Sequence, residues 1–117
     1  MNRGTARYDL GDKQAAIVDY NQAIIIDPNH ADAYYGRGAT RYDLGDKQAA
    51  ITDFQEAIII DTNYAKAYYG RGLARSDLGD KQAAITDFQE AAKLYQQQGD
   101  NTMYQKALNR ISELQKY

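Results

Sequence analysis

Arg7-Tyr8-Asp9-Leu10-Gly11-Asp12-Lys13-Gln14-Ala15-Ala16-Ile17 returns unchanged at Arg41 to Ile51, and again at Arg75 to Ile85 with Ser76 in place of the tyrosine. Asp12, Asp46 and Asp80 set the period at 34 residues. A repeat of that length marks a supersecondary unit that cannot bury its apolar face alone, so neighbouring units must share one interior. With one Pro and few β-branched runs in 117 residues, the elements are expected to be helices.

Each unit reads as two helices. In the second unit, Ala33 to Leu44 forms helix A, Lys47 to Asp61 forms helix B, and Leu44-Gly45-Asp46 is the corner between them. Gly45 suits the left-handed conformation that ends a helix, and Asp46 suits the cap of the next one. Pro28 after Asp27 stops helix B of the first unit, and Thr62 holds the equivalent place one period later. Ala50, Phe54, Ala57 and Ile58 fall on one face of helix B and form the expected core stripe. Gly38 and Gly72 each cost about 1 kcal/mol relative to Ala in a helix interior, which close packing against helix B would offset.

On these residues the chain resembles the tetratricopeptide repeat family. The family's large aromatic early in helix A is matched by Tyr34 and Tyr68, and its small residue four positions later by Gly38 and Gly72. Its helix B alanines and aromatic are matched by Ala50, Phe54 and Ala57, then by Ala84, Phe88 and Ala91, while its terminal Pro is met only by Pro28. The resemblance spans nearly the whole chain. It implies an all-α solenoid of about three antiparallel helix-turn-helix repeats with a C-terminal capping helix, in one domain over 1–117. The divisions are a truncated repeat 1–30, repeats 31–64 and 65–98, and a capping helix 100–116.

Two departures from the family pattern bear on packing. Arg3, Arg37 and Arg71 stand where the family often has Leu, and Arg7, Arg41 and Arg75 where it often has Tyr. Asp19, Asp53 and Asp87 lie 16 residues beyond the first set. Arg37 is expected to pair with Asp53, and Arg71 with Asp87, because the arginine fork suits a partly enclosed carboxylate. The alternative is that these arginines run their heads out to solvent.

The two ends differ. Met1 aligns with Tyr35 and Tyr69, so the first unit lacks a counterpart of Tyr34, and the chain is expected to be a fragment of a longer array. An uncovered first unit would support a homo-oligomer, either by end-to-end stacking or through paired ends. At the other end, Asp100 or Asn101 can cap a last helix whose stripe is Tyr104, Ala107, Leu108, Ile111 and Leu114. Its polar opposite face fits a capping role. In Ile24-Ile25-Ile26 and Ile58-Ile59-Ile60, three consecutive residues cannot share one core, so Ile25 and Ile59 are expected on the outer, convex side as isolated surface residues or as a protomer contact.

Composition removes several function classes. Fourteen Lys and Arg against sixteen Asp and Glu leave a net charge of −2, not the basic field that holds nucleic acid. No stretch approaches the roughly 20 apolar residues of a membrane span. The chain has no Cys, hence no disulfide or thiolate site, which is compatible with a reducing, cytoplasmic setting. His30 has no His or Cys nearby and reads as an exposed loop residue; Asp27 and Asp32 make a poor metal cage beside it. Gly36-Arg37-Gly38 lies within a helix and lacks phosphate-loop spacing. Ser76 and Ser112 have no base. No catalytic group and no cofactor is implied.

The remaining candidate is a surface. With Tyr34, Gly38 and Arg41 turned to the core, Asp32, Tyr35, Ala39, Tyr42 and Asp43 project on the opposite side of helix A. One period on, the set is Lys66, Tyr69, Leu73, Ser76 and Asp77; one period back it is Met1, Thr5, Tyr8 and Asp9. In the family this side lines a concave groove, so the resemblance implies a protein or peptide partner bound there. A structural or self-assembling scaffold is the second reading. Tyrosines offer broad contact with a polar tip, although the same rings could pack on neighbouring A helices. Gly36 and Gly70 at the rim would leave room for a ligand backbone. Asp9, Asp43 and Asp77 are expected to pair locally with Lys13, Lys47 and Lys81, or to form an acidic ladder for a basic ligand. Some relatives clamp a peptide's terminal carboxylate with Lys and Asn. Only Asn2 and Lys66 match that set here, with Tyr35 and Tyr69 at the place of the key basic residue.

Overall fold

The structure is a computed structural model that describes residues 2–116, with side chains from Gly11 to Lys116. Six helices follow one another: α1 Asn2–Ile26, α2 Ala31–Asp43, α3 Lys47–Ile60, α4 Ala65–Asp77, α5 Lys81–Gln97 and α6 Asn101–Gln115. Each packs against the next, and α2 also touches α4, so the A helices of successive units stand side by side. The result is an all-α solenoid closed by a capping helix. No helix among the described residues is long and apolar enough to cross a membrane.

The corners form by the expected chemistry. Gly45 and Gly79 take φ of 89° and 88°, a region that a Cβ disfavours. The Asp46 and Asp80 carboxylates then accept from the backbone N–H groups of Ala49 and Ala83, each at 3.4 Å. Asp100 caps α6 by accepting from the Met103 N–H at 3.1 Å. His30 is not the free loop residue the sequence suggests. Its Nδ1 accepts from the Ala33 N–H at 3.2 Å, which makes it the cap of α2.

The first unit departs from the two-helix reading. Leu10-Gly11-Asp12 forms no corner: α1 runs through it as one helix of 25 residues. The same eleven residues therefore turn at 41–51 and stay helical at 7–17. Local chemistry cannot decide between the two, so packing does. In the second unit, helix A folds back over helix B with Ala33 buried at its start. Residues 2–10 continue α1 without a break, which keeps every backbone bond of that helix made.

The shared interior consists of small alanines around two phenylalanine rings. Ala50, Phe54, Ala57, Ile58 and Ala67 form one cluster, and Ala65, Ala91, Leu94 and Tyr95 another. Phe54 sits between units. A Cβ on Gly38 would stand 3.0 Å from its ring, and one on Gly70 only 2.7 Å from it. Gly70 and Gly36 thus make room for Phe54 and Tyr20, not for a ligand backbone as their place on the rim suggested.

Among the described residues, Asp53 and Asp87 are the two charged ones buried with this core. The Arg37 fork donates Nε and Nη2 to Asp53 at 3.0 and 2.8 Å, and Arg71 repeats the pair on Asp87 at 3.0 and 2.7 Å. A second arginine joins each carboxylate: Arg41 and Arg75 donate Nη1 at 2.9 Å. Arg37 also donates to the Asn21 Oδ1 at 2.8 Å, which ties α1 to α2. Hydrogen bonding to Asp53 raises the Arg37 pKa against the opposing effect of burial. Arg37 and Arg71 lie over the rings of Tyr34 and Tyr68, with 5.5 and 5.6 Å from guanidinium to centroid. These half-buried tyrosines therefore hold the clasp at the edge of the core.

Candidate functional site

α2 and α4 place their outward residues along one wall, and a groove of about 360 Å³ runs between them. It brings together Tyr35, Ala39, Tyr42, Asp43, Lys66, Tyr69 and Leu73. Gly70 of α4 joins them, and Phe54, Tyr95 and Met103 complete the lining from helices that the pattern on helix A could not reveal. Ser76 and Asp77 lie beyond Leu73, in an adjoining hollow of about 580 Å³ that also receives Arg110 and Glu113 of the capping helix. Asp32 lies elsewhere, in a third hollow of about 320 Å³ with Tyr64 and Gln98. The side chains of Thr5, Tyr8 and Asp9 are outside the described residues.

The tyrosines do not stand clear of the core. The Tyr35 ring lies 5.7 Å from Phe54 and stacks at 5.3 Å on Tyr64, and the Tyr69 ring meets Phe88 edge-on at 5.3 Å. They are half-buried because α2 and α4 each touch helices on two sides. Hydrogen bonds then link successive units along this wall. The Tyr42 hydroxyl donates to Asp77 at 2.5 Å, the Tyr64 hydroxyl donates to Asp32 at 2.5 Å, and Arg110 Nε donates to the Tyr69 hydroxyl at 3.3 Å. The expected Asp43–Lys47 and Asp77–Lys81 pairs are not among the ion pairs of the described residues. Lys47 lies instead 5.7 Å from the centre of the Tyr42 ring, while Asp77 accepts the hydrogen bond of the Tyr42 hydroxyl.

This wall titrates at alkaline pH. Burial first, and then the bond to Asp77, push the Tyr42 phenol up to about 12. Burial and Asp32 act on Tyr64 in the same direction. A phenol whose folded pKa is raised contributes stability that is complete below its unfolded value, about 10, and is lost as pH climbs through the folded value. Thermal unfolding is therefore expected to hold steady up to pH ~10 and to weaken between ~10 and ~12, with a shallower decline in Tyr42→Phe. An equal decline in the variant would contradict this.

The Tyr95 hydroxyl is buried beneath the groove with no hydrogen-bond partner among the described residues. Such a group stays neutral, and burial raises its pKa.

Two family models match the chain. One, described as TPR repeat, covers residues 4–45 and 39–79; the other, described as Tetratricopeptide repeat, covers 65–98. The chain belongs to the tetratricopeptide repeat family. No curated protein sequence matches it. Among solved structures it is similar to the Arabidopsis OM64 TPR domain, with 31% identity over 96% of this chain and 90% of that one, and a TM-score of 0.78. It is also similar to the second TPR domain of human RPAP3, solved with the HSP70 peptide SGPTIEEVD, with 28% identity over 99% and 92% and a TM-score of 0.79. PcrH from Pseudomonas aeruginosa shares the fold, with 21% identity over 97% and 87% and a TM-score of 0.84. Tetratricopeptide repeat domains bind peptides or proteins in their concave groove and are typically non-catalytic scaffolds. This chain is accordingly a protein-binding scaffold and not an enzyme.

Proposed function

We propose that the α2–α4 groove binds a segment of another protein through apolar and aromatic side chains. The observation that carries this reading is the lining itself. Asp43 and Lys66 are the charged residues among eleven that otherwise supply rings, methyl groups and a glycine. A concave apolar site with a few polar groups at its edge suits an aliphatic or aromatic anchor and uses the polar groups to fix orientation. The acidic tail of SGPTIEEVD, held by the second RPAP3 domain, is a poor fit. Lys66 is the single cation of the lining, Asp43 adds the opposite charge, and Tyr35, Tyr69, Ala39 and Leu73 offer no positive charge.

Ala39→Arg tests the reading, because it fills the groove from an amphipathic helix position whose long stem can still lead its charge to water. Peptides selected from a random library on the wild-type chain should be rich in aromatic and aliphatic residues. Their affinity should fall at least about tenfold on Ala39→Arg, as truncating or blocking a central anchor does, with an unchanged melting temperature. Equal binding to both proteins, or selection of acidic tails, would reject it. A second reading, self-assembly through the first unit, is supported by Ala16 and Tyr20 on α1, which are half-buried where their counterparts Ala50 and Phe54 are buried.

A further inference from the structure

Tyr95 and Lys66 line two hollows at once: the α2–α4 groove, and the third hollow of about 320 Å³, which Asp32, Asp61 and Asp100 border. The two hollows therefore meet at these residues. Tyr95 is 2% exposed, and its hydroxyl has no hydrogen-bond partner among the described residues. A buried hydroxyl left unpaired is costly, and a folded chain keeps one where something else supplies the missing bond. The Tyr95 ring meets Tyr69 edge-on at 6.5 Å. Burial raises the pKa of the phenol first, and Tyr35, Asp100 and Tyr69 add to it in that order. Its oxygen thus stands within the field of the groove walls, Tyr35 and Tyr69, and of Asp100 on the wall of the hollow.

Each carboxylate of the hollow has one oxygen committed to the protein. Oδ1 of Asp32 accepts from the Tyr64 hydroxyl, that of Asp61 from the Asn63 N–H at 3.0 Å, and that of Asp100 from the Met103 N–H at 3.1 Å. The three Oδ2 atoms receive no donor among the described hydrogen bonds. Neither these carboxylates nor Lys66, the one cation of the lining, belongs to an ion pair among the described residues. Three negative charges against one positive leave the hollow acidic. No three acidic groups among the described residues lie close enough together to hold a metal ion. Carboxylates spread in this way suit a long side chain with a cationic head that offers several donors, a Lys or an Arg.

We propose that the segment bound in the α2–α4 groove runs on over Tyr95 and sets a Lys or Arg side chain in the acidic hollow, while one of its backbone carbonyls accepts the Tyr95 hydroxyl. This rests on the groove reading above and adds to it the chemistry of the partner: an aromatic or aliphatic anchor with a basic residue close beside it. The carbonyl supplies the acceptor that the protein withholds, and the cation finds uncommitted carboxylate oxygens. The hydroxyl lies just beneath the surface, so a neighbouring side chain yields for the contact to form. Lys66 and Met103, both in the groove lining, are long and flexible enough to do so. An acidic tail would meet like charges at the same place, so the hollow also selects against it.

Peptides selected from a random library on the wild-type chain should carry Lys or Arg at a fixed spacing from the anchor. Two variants then separate the contacts. Tyr95→Phe removes the hydroxyl and keeps the ring, whereas Asp61→Asn/Asp100→Asn removes two charges and keeps side chains that can cap. Affinity for the selected peptides should fall about three- to tenfold on the first variant and at least about tenfold on the second. The melting temperature should rise in Tyr95→Phe, which loses an unpaired polar group, and stay nearly unchanged in the double variant. Replacing the peptide's basic residue by Met should abolish the second loss and leave the first. Selected peptides that Ala39→Arg blocks but that carry no basic residue overturn this proposal and leave the groove reading standing. Loss of affinity on only one of the two variants does the same. Peptides indifferent to Ala39→Arg remove the groove reading, and this proposal with it.

Discussion

Asp87→Ala is expected to lower the unfolding free energy by about 3–5 kcal/mol, the range for removing one partner of a buried ion pair. The carboxylate accepts three hydrogen bonds, two from the Arg71 fork and one from Arg75. Without it two guanidinium groups face each other at the edge of an alanine-lined core, and neither has another acidic partner among the described ion pairs. The loss is therefore the repulsion and desolvation left behind rather than the worth of the pair itself. Asp87→Asn should fall between, since the amide keeps one acceptor but turns an N–H₂ toward a donor. Asp19→Ala supplies the contrast: its side chain is exposed, and its loss should stay within about 0.5 kcal/mol. Denaturant unfolding of the three variants checks the order. An Asp87→Ala loss below about 1 kcal/mol would mean that the arginines are content in water and the clasp is ornamental.

The clasp shows what was legible in the sequence. The 16-residue spacing gave the Arg37–Asp53 and Arg71–Asp87 pairs because two helices of known length meet across a known corner. Arg41 and Arg75 escaped that reading, although Arg37 and Arg41 are four apart and must share a face. The solenoid, its capping helix and most of the groove lining followed from periodicity. The depth of the tyrosines did not, because period 3.6 gives direction around one helix and says nothing about how many neighbours that helix has. Tyr35 and Tyr69 lie at the edge of the core for this reason, and Gly36 and Gly70 serve rings from the preceding unit. The first corner was illegible on stronger grounds. Identical eleven-residue stretches turn in one unit and run straight in another, so the deciding information lies outside them.

Phe54→Ala is the second large loss, about 3–5 kcal/mol, as for other fully enclosed aromatic rings cut back to a methyl group. The ring is 2% exposed and pinned between Gly38 of its own unit and Gly70 of the next, so its removal opens a cavity at the joint of two units. Neither glycine has a side chain to move in, and the surrounding alanines are too short to close the gap. Tyr20→Ala at the equivalent place should lose much less, about 1 kcal/mol, because one side of that ring is already open. Gly70→Ala completes the argument. Its Cβ would enter the Phe54 ring, which cannot retreat past Gly38, so overpacking of about 1–3 kcal/mol should exceed the gain of about 1 kcal/mol in helix propensity. In Phe54→Ala the same Gly70→Ala change should turn neutral or stabilising. If it stays as damaging without the ring as with it, the joint between units is not built on this phenylalanine.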